Sequence, residues 1–143
     1  MSGRVAYYGG IVKDGLVLDL DAGKKDSFNR VSTTWSDISG NGYNGTLTNF
    51  GTQTIYNSGD GGNITFDGTN DYIDNIGSVD TFSFIQNTGI YTISVWLKLN
   101  LTTKEMYVMG NNDGTTNLKG FWLGTNGVSN SVQLVITLGL GGV

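Results

Sequence analysis

The side chains able to do chemistry in this sequence are carboxylates and amides set beside glycine. Asp67 and Asp71 fall four apart in FDGTNDY, Asp60 sits in NSGDGGN, and Asn111, Asn112 and Asp113 stand together in GNNDGT. Oxygens this close could contribute to a calcium site, which takes roughly six to eight ligands from carboxylates, carbonyls and water. Asp67, Asp71 and Asp113 are the candidate metal residues. None of these stretches follows the EF-hand order of alternating acids, a glycine and a distal Glu. Asp and Asn also dominate tight turns for local reasons, since they tolerate positive φ and bond their own backbone. The turn role therefore outweighs calcium, and no other cofactor is implied.

Hydrolytic chemistry finds little to work with. The chain of 143 residues has no His, no Cys and one Glu, Glu105. That inventory excludes Ser/His/Asp and Cys/His nucleophiles, zinc or copper sites of ordinary type, and disulfides. Glycoside hydrolysis needs two carboxyls roughly 5–9.5 Å apart, and Glu105 has no acidic neighbour in sequence. Asp19 and Asp21 share a strand face by the period of two. Nothing adjacent would hold either protonated, so a solvated face is the better reading. No catalytic residue is assigned, and an enzyme is not expected.

Trp96 and Trp122 are the candidate glycan-binding residues, because an indole face suits the apolar face of a pyranose ring. A core or subunit-contact role competes for both and is favoured. The net charge of −4 leaves no basic stripe, so a nucleic-acid partner is not expected. No segment reaches the roughly 20 apolar residues of a membrane helix, and no membrane insertion is expected. The opening MSGRVAYYGGIV lacks the apolar run of a secretory signal.

The elements that must position these residues are strands. Seven Asn-Gly or Asp-Gly dipeptides punctuate the chain, and such pairs suit the positive φ angles of hairpin turns. Between them run short alternating segments. Tyr91, Ile93, Val95, Leu97 and Leu99 fall on one face, with Thr92, Ser94, Trp96 and Lys98 on the other. Val132, Leu134, Ile136, Leu138 and Leu140 share a face, as do Leu16, Leu18 and Leu20. Weaker strands are expected at residues 45–50, 63–66, 72–74, 106–109 and 121–124. No stretch of ten or more residues carries a 3.6 period. Short strands separated by turns predict an all-β fold, an antiparallel β-sandwich or jelly roll.

The two ends differ from the middle. Residues 1–13 lack alternation and form an arm preceding a domain at 14–143. A frayed terminus competes here with an anchoring arm whose Val5, Tyr7, Tyr8, Ile11 and Val12 pack on another subunit. At the other end, VQLVITLGLGGV is a strongly apolar strand with no polar cap. An edge of this kind is an aggregation hazard, so the sandwich is expected to be incomplete and to continue beyond Val143.

Three strings carry more specificity together than any single residue. They are GLVLDLDAG (residues 15–23), WSDISGNGYNGTL (35–47) and FDGTNDYI (66–73), followed by YTISVWLK (91–98). In order and spacing the set resembles the laminin-G-like, concanavalin A-like lectin/glucanase superfamily, over roughly residues 14–143. It resembles most the members found in tailed-bacteriophage head fibre, capsid decoration and tail-fibre proteins. The resemblance implies a concanavalin A-like sandwich on a virion surface. Its implied partners are other virion proteins and copies of itself, a trimer being the common state of fibres. A host glycan is the alternative ligand, and host attachment the alternative role. Two features depart from the family. The glucanases carry two Glu flanking an Asp, which a chain with one Glu cannot supply. The W-H-x-V-A strand and Y-V-N-G hairpin that usually follow are absent.

Overall fold

A computed structural model of the chain describes residues 11–51, 55–78, 80–87, 89–99, 105–110, 120–126 and 132–137. The chain divides into two compact units, Met1–Ile76 and Gly77–Val143.

The first unit contains β1 (Thr34–Trp35), β2 (Gly45–Thr48), β3 (Tyr56–Asn57), β4 (Asn63–Ile64) and β5 (Tyr72–Asp74). An antiparallel sheet has the order β1-β2-β5, and β3 pairs with β4 as a separate ribbon. In β2 the period of two is visible in burial: Gly45 and Leu47 are buried, Thr46 and Thr48 half-buried. Leu47 lies opposite Ile73 and Thr46 opposite Asp74. Among the described residues of this unit, Ala22, Phe28 and Leu47 are the buried apolar ones. The Phe28 ring lies 6.5 Å from Trp35 and 6.3 Å from Tyr56, and the Arg30 guanidinium sits 4.3 Å above the Tyr56 ring.

Two glycines are required by close approach. A Cβ on Gly23 would meet the Gly61 carbonyl oxygen, so the turn after residue 20 can lie against the β3–β4 loop only without a side chain. Gly45 opens β2, where the expected strand begins, and a Cβ there would come within 2.5 Å of Ile73 Cγ2.

The second unit opens with a 3-10 turn at Asp80–Phe82 and a single α-turn, α1 (Phe84–Asn87). The strands β6 (Glu105–Gly110), β7 (Gly120–Asn126) and β8 (Val132–Thr137) follow, antiparallel in the order β6-β7-β8. The register steps from Tyr107 opposite Gly124 to Met109 opposite Leu123, so Val108 is the extra residue of a β-bulge. Phe82, Ile85 and Phe121 are buried here, and Thr125 is fully enclosed. Its Oγ1 accepts a hydrogen bond from the Met106 N–H at 3.1 Å.

The fold is all-β, with small antiparallel sheets and short turns of helix. The expected strand at 72–74 matches β5, and those at 45–50, 63–66, 106–109, 121–124 and 132–140 overlap β2, β4, β6, β7 and β8. Two expected strands are corrected. Residues 16–20 join no ladder among the described residues; their backbone is bonded instead by the side chains of Asp37, Ser39 and Asn41. Residues 91–99 also join no ladder among the described residues, although Tyr91, Ile93 and Leu99 keep the alternating half-burial of a strand. Alternation selects faces, but a ladder needs the donors and acceptors of a second strand.

Candidate functional site

The densest polar constellation among the described residues is in the first unit, around Asp37. The stretch 36–44 offers Ser, Asp, Asn and Gly in succession, a composition that bonds its own backbone in preference to joining a ladder. Asp37 Oδ1 accepts the N–H groups of Asp19 (3.0 Å) and Ser39 (2.9 Å). Its Oδ2 accepts the N–H of Tyr43 (3.1 Å) and the Ser39 hydroxyl (2.8 Å). The Asp37 N–H itself donates to Asn44 Oδ1 at 2.9 Å.

Neighbouring bonds extend this centre. Asn41 Nδ2 donates to the Leu16 and Val17 carbonyls at 3.1 and 2.9 Å. The Ile38 N–H donates to the Asp19 carbonyl at 2.9 Å. The buried Ser27 hydroxyl donates to the Ser36 carbonyl (2.7 Å) and accepts the Asp21 N–H (3.0 Å). Burial alone would push the Asp37 carboxyl up. The bonds from the backbone of Asp19 and Ser39, the Ser39 hydroxyl and the backbone of Tyr43 outweigh it and hold the carboxyl below its ordinary value. A carboxylate has about four lone-pair positions, and here four donors fill them. Asp37 is thus an acceptor that ties residues 16–21 to residues 36–44, with no lone pair left for a metal or a travelling proton.

The expected site residues fall in both units. Asp67 Oδ1 accepts the Thr69 N–H at 2.7 Å, and Asp71 Oδ2 accepts the Asp67 N–H at 2.8 Å. Both carboxylates therefore brace the 67–71 turn. Asp113, Asn111 and Asn112 lie outside the described residues, as do Val5, Tyr7 and Tyr8. Among the described residues, no three acidic side chains come together in a way that could hold a metal ion. Ile11 and Val12, the described end of the arm, are exposed. A cleft of about 350 Å3 lies beside them, lined by Ile11, Leu16 and Ile38 with Lys13, Asp19, Lys24 and Asp26. Lys24 is paired with Asp21 at 3.1 Å.

The two tryptophans are not brought into one platform. Trp96 is 98% exposed, whereas Trp122 is half-buried on β7 with its ring edge-on to Tyr107 at 5.5 Å. Glu105 accepts the Tyr107 hydroxyl at 2.9 Å, and this bond with the carboxylate's charge holds the phenol above its ordinary value.

Asp37 belongs to no cluster of acids in the sequence, standing alone among Ser and Asn. The signal was the S-D-x-S pattern itself, since an Asp readily accepts the N–H two residues on.

No family of known proteins matches the chain, and no curated protein does. Among solved structures it is similar to a fragment of an S-layer domain-containing protein from Clostridium thermocellum, with a TM-score of 0.54 and 22% identity. The match covers 74% of this chain and 45% of that one, so the chain spans less than half of its neighbour. At this identity the likeness concerns the fold alone.

Proposed function

We propose that the chain is a structural module of a tailed-phage virion surface, as a head fibre, capsid decoration or tail-fibre component. Residues 1–12 anchor it to other virion proteins, and a concanavalin A-like β-sandwich faces outward. The resemblance of the four ordered strings supplies the family context. The observation that carries the structural role is the Asp37 lock. Within WSDISGNGYN the side chains of Asp37, Ser39, Asn41 and Asn44 are engaged in holding the chain to itself, which is the work of a scaffold. The exposed Ile11 and Val12 support an arm that is completed by a partner.

Removal of residues 1–12 tests the anchoring. Particles assembled with the truncated chain are expected to lack it, as read by mass spectrometry of purified virions. Incorporation at the wild-type level would refute the anchor.

A second reading, a lectin-like module that attaches to cell-surface glycans, is favoured by one observation, the complete exposure of the Trp96 ring. A glycan array probed with calcium and with chelator separates the two. A purely structural module binds no glycan in either condition, while a lectin retains a ligand that Trp96→Ser abolishes.

A further inference from the structure

An asparagine followed by glycine carries an amide that its own chain can attack. The backbone nitrogen of the next residue adds to the side-chain carbonyl carbon, and a glycine there puts no Cβ in the way. The stretch GNGYNG holds this step twice, at Asn41-Gly42 and Asn44-Gly45, and the fold treats the two differently. Asn41 and Gly42 are both exposed, and Gly42 stands at φ +77° with open space where a Cβ would be. Gly45 is buried at the start of β2, paired with Trp35 and packed under Ile73. Bringing the Gly45 nitrogen onto the Asn44 carbonyl carbon therefore requires opening the β1–β2 pair. At Asn41 only an exposed side chain must leave its bonds.

We propose that Asn41 is a site of spontaneous modification, converted to aspartate and isoaspartate in the folded chain, and that the conversion unties residues 16–17 from the 36–44 loop. The Gly42 nitrogen gives up its proton and bonds to Asn41 Cγ; the Cγ–Nδ2 bond breaks, and the amide nitrogen leaves with a proton as ammonia. Water then opens the cyclic imide at either carbonyl. One opening gives aspartate, the other isoaspartate, in which the main chain runs through Cγ. The place of the amide in the fold sets the consequence. Asn41 Nδ2 donates to the Leu16 carbonyl at 3.1 Å, the Val17 carbonyl at 2.9 Å and the Ser39 hydroxyl oxygen at 3.1 Å. A carboxylate only accepts, so the product sets oxygen against two carbonyls. Isoaspartate also adds a main-chain carbon between Ser39 and Tyr43, whose N–H groups hold the two oxygens of Asp37. Either product loosens the Asp37 lock. This chemistry is independent of a virion role: particle incorporation can fail while Asn41 still converts.

The test incubates the full chain in mildly alkaline buffer, folded and in concentrated urea. Peptide mapping by tandem mass spectrometry, with an isoaspartate methyltransferase assay, reads the products at each position. In the folded chain Asn41 is expected to convert about tenfold faster than Asn44, as a local opening outpaces the opening of a strand pair. In urea the two rates are expected to converge, since each amide then precedes an unconstrained glycine. Equal rates in the folded chain, Asn44 ahead, product at Asn41 only after unfolding, or a difference that persists in urea would overturn the site. The consequence is read separately in Asn41→Asp, which carries the aspartate product from the start. Amide exchange at Asp19, whose N–H donates to Asp37, is expected to speed up about tenfold, while Met106 in the second unit keeps its wild-type rate. Unchanged exchange at Asp19, or equal acceleration at Met106, would overturn the local loosening.

Discussion

Asp37 shows how one side chain can determine the path of a loop. Its four donors come from Asp19, Ser39 and Tyr43, so neutralising it leaves buried N–H groups facing an amide that must itself donate. Asp37→Asn is expected to destabilise the protein by about 2 kcal/mol at pH 7, read from urea midpoints. The pH dependence follows from the sign of the shift. The folded carboxyl lies below its ordinary value, so the unfolded chain binds the proton more readily. The stabilisation is complete above the unfolded value of about 4 and is lost as pH falls through the folded value. Asp37→Asn should flatten that acid limb, and an unchanged slope would assign it to other carboxylates. Asp67 and Asp71 teach the complementary lesson. Asp67 Oδ1 accepts the Thr69 N–H and Asp71 Oδ2 the Asp67 N–H, the local turn role that an Asp beside glycine takes.

At the scale of elements, legibility follows the local pattern and not the distance to a partner: β5 was legible although β3 and β4 lie between it and β2, whereas β1 and β3, two residues each, were not. The three strands β6, β7 and β8 form a meander, each paired with the next, so pattern and neighbour agree. Residues 16–20 and 91–99 carry equally clear alternation and lie in no ladder among the described residues. The first is held by side chains of a loop some twenty residues on, a contact that periodicity does not encode. Thr125 is the internal polar support of the β6–β7 pair: it is fully buried, and Oγ1 accepts the Met106 N–H next to the Val108 bulge. Thr125→Val keeps the shape and removes that acceptor. It is expected to cost about 1–2 kcal/mol and to speed amide exchange at Met106. Unchanged exchange there would place the support of the bulge elsewhere.

For the molecule as a whole, few charges and an exposed apolar strand act together. The net charge is −4 and the sequence pI is about 4.4, so repulsion between copies is weakest near that pH. Light scattering is expected to peak near pH 4.4, with Trp96→Ser lowering the peak. Because the Trp96 ring is almost wholly in solvent, the same substitution should leave stability within about 0.5 kcal/mol. A large loss of stability would mean that the ring is covered. By itself, the sequence determined the all-β class, the turn residues and the lack of His and Cys chemistry, because inventory and period are local properties. The tertiary structure decided which carboxylate matters, that Gly45 packs under Ile73, and which alternating segments pair among the described residues. Each of those depends on groups brought together across tens of residues, and a one-dimensional pattern carries no record of such distances.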